Sequence, residues 1–253
     1  MNRRKMMGAA IVAVSMMVSS GVSVYAEDDV NATVIWRAFD DQFQSGFRII
    51  MENEEENTSG IKLDMQDAEN QVSVANNKLD MALTKGTDIV AICAPDREST
   101  AEMAQKCDAE NVPSVFFNMQ PMDETMEEYD NIWYVGAEAS ESGAMGALQA
   151  ALNNGYNQGE KDKFVPIVGI DANMDALEAM KDGGLLGTVL NDRKSQSIAI
   201  MNVLKAVAKG EDFTAEDLGV DCTVDGKYVW VPYVIVDETN LDDTIELMKS
   251  ISE

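Results

Sequence analysis

The sequence predicts an α/β fold built on a doubly wound parallel sheet, and three observations point there. Short β-rich runs alternate with helix-period segments over residues 30–251, the pattern of parallel strands joined by crossover helices. Residues 30–136 alone hold five such runs and three clear helical segments, enough for one complete lobe. The hydrophobic fraction of 45% supplies a core even though 45 acidic residues face 19 basic ones, so the acidity reads as a solvated surface and not as disorder.

Residues 33–36 (TVIW) are the first predicted strand, followed by an amphipathic helix over 43–54 and a weaker strand over 61–65. Within 71–85, Val72, Ala75, Leu79 and Ala82 recur at helical spacing, and Gly86 supplies the stop. Residues 87–94 (TDIVAICA) form a third strand. After it, Ser99 and Glu102 stand in the S-x-x-E arrangement of a capping box, which opens a helix. Pro113 closes that helix and leads into a fourth strand over 114–117, and a fifth over 132–135 runs up to Gly136.

Beyond Gly136 the pattern thins. A helix over 140–153, a polar loop to 163, a strand over 165–170, a helix over 173–181 and a strand over 186–190 come next. A long helix over 194–209, a β run over 228–236 and a helix over 241–251 complete the series. Only two or three of these segments can serve as strands of a second sheet. No internal repeat or low-complexity linker separates the halves.

At the N-terminus, Arg3, Arg4 and Lys5 precede an apolar run from residue 6 to 24, which ends in Val24-Tyr25-Ala26. This is the layout of a secretory signal peptide over residues 1–26, cleaved after Ala26. A membrane anchor is the other reading of such a run, but Ser15, Ser19, Ser20, Gly21 and Ser23 keep it below about 18 unbroken apolar residues. The segment has no Cys to carry a lipid anchor, so a periplasmic or extracellular location is expected. Its loss makes the chain more acidic still than its formal net charge of −26, a surface that repels nucleic acid and anionic lipid.

Two residue types exclude chemistry by their numbers. Three cysteines, Cys93, Cys107 and Cys222, give no disulfide framework, and the first two sit in apolar settings where a free thiol behaves as a small hydrophobe. The absence of histidine removes Ser-His and Cys-His nucleophile pairs and every His-ligated metal site. The expectation is a binding protein and not an enzyme. Catalysis through carboxylates alone would require Asp41 and Asp171 to hold separated pKa values in one cleft.

In an open α/β sheet, ligands sit beyond the carboxyl ends of the strands, where the loops diverge. The residues at those exits are Asp40 and Asp41, Asn118, Asp171, and Asn191 with Asp192. Carboxylates accept from hydroxyls while amides both donate and accept, which suits a neutral polyol such as a sugar. Phe43 could offer a flat apolar face to a pyranose ring. The same short polar residues also cap helices without any ligand, and for each position alone the two readings stand side by side. No metal is assigned: the acidic run 51–57 reads as a solvated helix end, and 237–246 lacks the glycine and spacing of a calcium loop. No P-loop or G-x-G-x-x-G is present.

Five stretches together resemble the periplasmic galactose/glucose-binding proteins, the type I substrate-binding components of ABC sugar importers. They are residues 34–48 (VIWRAFDDQFQSGFR), 111–118 (NVPSVFFN), 128–143 (EYDNIWYVGAEASESG), 165–192 (VPIVGIDANMDALEAMKDGGLLGTVLND) and 225–236 (DGKYVWVPYVIV). The resemblance implies a type I periplasmic binding protein fold of two lobes closing on a monosaccharide, galactose or glucose. Its partners would be an ABC permease and, in some members, a chemoreceptor. It also implies that Asp41, Phe43, Asn118, Asp171 and Asn191 contact the sugar.

One departure qualifies this. Between residues 140–143 (SESG) and 144–152 (AMGALQAAL) the family has a large block that is missing here, including its calcium loop, several sugar ligands and a stacking Trp. The aromatic that the family places before DDxF is also shifted, with Trp36 or Arg37 in its region. The implied organisation is a complete first lobe over 27–137, with 192–229 packing back on it, and a truncated second lobe from 138–191 and 230–253. No calcium or other cofactor is expected. A lobe short of strands exposes apolar faces and sheet edges, and greatly weakened or absent sugar affinity is the expectation. The alternative function is a non-binding remnant of such a protein.

Overall fold

Neighbouring side chains of the first strand, β1 (Val30–Trp36), are buried on opposite sides, Val34 and Trp36 on one and Ile35 on the other. The split recurs in β3 (Ile89–Ile92), β4 (Ser114–Phe117) and β5 (Ile132–Gly136): Ala91, Phe117 and Val135 share the first side, Val90, Phe116 and Tyr134 the second. Strands apolar on both faces need a helix layer on each side. One layer is α1 (Gln42–Asn57) with α6 (Arg193–Ala208), which contribute Phe47, Met51, Ile200 and Leu204. The other is α2 (Val72–Lys85), α3 (Thr100–Ala109) and α4 (Asp123–Glu128), which contribute Leu79, Met103 and Met126. These elements belong to a computed structural model that describes residues 29–137, 168–183 and 185–252. The predicted signal segment, the helix over 140–153 and the junction between 143 and 144 lie outside the described residues.

With β2 (Ile61–Asp67), β8 (Thr223–Asp225) and β9 (Tyr228–Trp230), the main sheet has seven strands in the order β2-β1-β3-β4-β5-β9-β8. Every pairing is parallel except β8 with β9 at the edge. Val34 of β1 aligns with Met65 and Ala91, and Ala91 with Val115, so the exits of the parallel strands open on one side. A second sheet of three strands has the order β10-β7-β6, from β6 (Val168–Ile170), β7 (Gly187–Leu190) and β10 (Val234–Val236). Helices α5 (Met174–Lys181) and α7 (Leu241–Ser252) accompany it. Its core joins Leu177, Met180, Leu190, Val236 and Met248 to Ile50 from α1, so the two layers share one helix. The architecture is mixed α/β with a parallel-sheet centre.

Three local features differ from the sequence reading. The β run over 228–236 is two strands in two sheets. Val231 still donates to the Gly136 carbonyl at 2.8 Å, but Pro232 has no N–H to continue a ladder, and the chain crosses to the smaller sheet there. Ser99 does not cap α3: its backbone is already helical (φ −71°, ψ −14°), and its hydroxyl donates to the Asp96 carbonyl. Asp96 takes up the turn instead, its carboxylate accepting from the Ser99 N–H at 2.8 Å. The six-residue α4 is too short and too acidic to show a periodicity and was not predicted. Gly86, by contrast, ends α2 in the left-handed conformation (φ 78°) that the stop signal requires.

Candidate functional site

At the exit of β1, the Asp41 carboxylate accepts from the N–H groups of Phe43 and Gln44 at 2.9 and 3.0 Å, opening α1. Its second oxygen pairs with the Arg37 guanidinium. At the exit of β6, Asp171 and Ala172 both adopt positive φ (72° and 43°), a conformation that non-glycine residues hold only when their surroundings enforce it. The Ala172 N–H donates to the Thr188 hydroxyl at 3.3 Å, and Asn173 caps α5 through Ala176. At the exit of β7, Asp192 caps α6 through Ser195, and the first helical residue is Arg193.

These exits converge on a cavity of about 550 Å³ between the two sheets. The first lobe supplies Asp41, Phe43 and Gly46, the second Asp171, Met174 and Met248, and Arg193 lies between. Phe43 meets Phe47 edge-on at 5.5 Å and carries the Arg193 guanidinium 5.2 Å above its ring centroid. Arg193 is only 7% exposed. Its Nη1 donates to the Phe43 carbonyl at 3.2 Å and its Nη2 to the Met248 sulfur at 3.4 Å. Its Nε–H has no partner. A Cβ at Gly46 would lie 2.9 Å from Arg193 Cζ and closer to Nη1, so a glycine stands inside α1 to admit the guanidinium.

The two carboxylates of the cavity are shifted in opposite directions. Burial raises the Asp171 pKa, opposed by Arg193. For Asp41 burial also raises it, but the Gln44 N–H, Arg37 and the Phe43 N–H together hold it below the usual carboxylate value. Burial lowers the Arg193 pKa, opposed by Asp171 and then Asp192. Deeper in the first lobe, burial pushes the Cys93 thiol up to about 11, which leaves it inert at neutral pH.

Of the predicted contact residues, Asp41, Phe43 and Asp171 line the cavity. Asn118 and Asn191 sit at their strand exits but outside its lining. Asn118 has φ 59° and directs its amide to the Cys93 sulfur at 3.8 Å, and the Asn191 side-chain oxygen accepts from Gln196. Arg193 escaped the sequence reading. The available signal is a cation at a helix N-terminus, where the macrodipole disfavours it. Among the described residues no group of three or more Cys, Asp or Glu side chains could hold a metal ion, and no helix is long and apolar enough to cross a membrane.

Residues 32–155 match the periplasmic binding protein domain family. The D-galactose/methyl-galactoside binding periplasmic protein of Haemophilus influenzae is 24% identical, over 93% of this chain and 97% of its own length. That alignment runs over 326 positions, well beyond the 253 residues present here, so dozens of its positions have no counterpart in this chain. Among solved structures, an ABC transporter solute binding protein from Bacillus halodurans with bound myo-inositol superposes with a TM-score of 0.68 at 18% identity, covering 87% of this chain and 98% of that one. A counterpart from Actinobacillus succinogenes with bound D-allose gives 0.67 at 14% identity, covering 84% and 99%. The chain has the type I periplasmic binding protein fold, with a second lobe shorter than in these relatives.

Proposed function

We propose that the chain binds a monosaccharide, with galactose or glucose as first candidates, and presents it to an ABC importer in the membrane after export and loss of residues 1–26. The observation that carries this reading is the cavity itself, which draws Asp41 and Phe43 from one sheet and Asp171 from the other. A site split in this way gains contacts when the lobes approach, so a ligand that touches both sides favours the closed arrangement. Asp171 accepts from sugar hydroxyls, Phe43 packs against the ring, and Asp41 orients the turn that presents Phe43. Asn118 and Asn191 join the contacts as the lobes close. The names of the relatives, which bind galactosides, inositol or allose, support a small neutral polyol as the ligand class.

The opposite pKa shifts of Asp41 and Asp171 are the feature an enzyme with paired carboxylates would need. Here the Asp41 shift has a structural origin, since its carboxylate caps α1 and pairs with Arg37. Binding without turnover is therefore the reading that fits.

A thermal melt of residues 27–253 with and without galactose or glucose tests it. A ligand that binds only the folded state adds about 2.7 kcal/mol at a hundredfold excess over Kd, so with sugar raised far enough to offset an affinity weakened by the missing block an upward shift is expected, with unchanged sugar recovered afterwards. No shift with any sugar would make the chain a non-binding remnant, and recovery of a new product would make it an enzyme.

A further inference from the structure

Arg193 carries several unfavourable features at once. It is a cation buried to nine-tenths of its surface, at the N-terminus of α6 where the helix dipole opposes it. Its guanidinium partners are a carbonyl and a thioether, neither of them charged, and its Nε–H has none. It also occupies space that exists only because α1 carries glycine at position 46, a residue that weakens a helix interior. An arginine serving structure alone would be expected to satisfy its donors, since an unpaired buried group is destabilising. Instead the side chain lies on the Phe43 ring and lines the same cavity as Asp171.

We propose that Arg193 is a specificity-determining contact of this cavity. Its guanidinium and the Asp171 carboxylate hold one hydroxyl of a neutral sugar between them, the hydroxyl accepting from the guanidinium and donating to the carboxylate. A hydroxyl can do both at once, whereas a carboxylate ligand can only accept. An acidic sugar would also meet Asp41 and Asp171 with a single facing cation among the described residues. Arg193 therefore selects neutral sugars against their uronic acid counterparts. Gly46 is its positioning residue, leaving open the volume in which the guanidinium lies. The inference rests on the sugar-binding reading above.

The test is isothermal titration of residues 27–253 with D-galactose, D-glucose and D-galacturonate, with thermal melts of each unliganded protein. The parent is expected to bind at least one neutral sugar and to bind galacturonate at least tenfold more weakly than galactose. Arg193→Met is expected to weaken neutral-sugar binding at least tenfold without lowering the melting temperature of the free protein. Gly46→Ala is expected to weaken binding in the parent by displacing the guanidinium, and to have no effect on binding in the Arg193→Met background. That pairing separates displacement of Arg193 from damage to α1, and the comparison of galactose with galacturonate in the parent keeps the test decisive if Arg193→Met fails to fold. Equal affinity of the parent and Arg193→Met, a preference for galacturonate, or an equal Gly46→Ala effect in both backgrounds overturns the proposal and leaves the sugar reading standing. A parent that binds no sugar overturns both.

Discussion

Asp171 is held at the exit of β6 in a left-handed turn and partly desolvated, so the folded protein disfavours its charge. Its folded pKa lies above the ordinary value of about 3.9. Between those two values the folded state binds more protons than the unfolded chain, so stability falls as pH rises through that window and stays reduced above it. Asp171→Asn is accordingly expected to raise the urea midpoint of the free protein at pH 7, with the gain shrinking to nothing as pH falls below the ordinary carboxylate value. The same change should weaken sugar binding, a stability gained where function is lost. Asp41 has the opposite sign: its folded pKa is depressed, and its contribution is present above the ordinary value and lost as pH falls through the folded one. Asp41, Phe43 and Asp171 were legible in the sequence because short polar residues and an aromatic follow apolar strand runs. Arg193 was not, because its environment depends on Gly46 in a distant helix. Nor could spacing show that the Asn118 and Asn191 side chains turn toward Cys93 and Gln196.

Among the elements, α2 has an end with a single backbone solution. Gly86 sits at φ 78° and its N–H reaches the carbonyls of Ala82 and Leu83. Gly86→Ala forces a Cβ into left-handed backbone, which is expected to destabilise by about 1–2 kcal/mol. It should appear as a lower urea midpoint with an unchanged slope. Strand positions were legible wherever the run was buried on both faces, and β4 falls where the sequence placed it. The run over 228–236 was harder, because YVWVPYVIV is uniformly β-prone and only Pro232 marks the crossing. The capping box failed for a different reason. Asp96 lies one turn earlier and offers a stronger acceptor than Ser99, so the turn is set before the predicted cap is reached.

Across the whole molecule, a formal charge of −26 with no histidine means a net repulsion that varies little through the neutral range. Exposed pairs such as Lys62 with Asp29 at 2.8 Å and Lys106 with Asp80 at 2.9 Å offset little of it. Raising ionic strength from about 0.01 to 1 M shortens the screening length from about 30 to 3 Å. The melting temperature is expected to rise with sodium chloride over that range, and a fall would mean that the ion pairs outweigh the repulsion. The smaller sheet has a further consequence, in the order of events during synthesis. Its strands β6 and β7 and helix α5 leave the ribosome well before β10 and α7, which bring Val236 and Met248 to cover Leu177 and Leu190. Chains emerge N-terminus first, so the main sheet can assemble through β5 while the smaller core stays uncovered until residue 248 is out. During that interval the apolar side chains of the smaller core, Leu177 and Leu190 among them, stay open to non-native contacts.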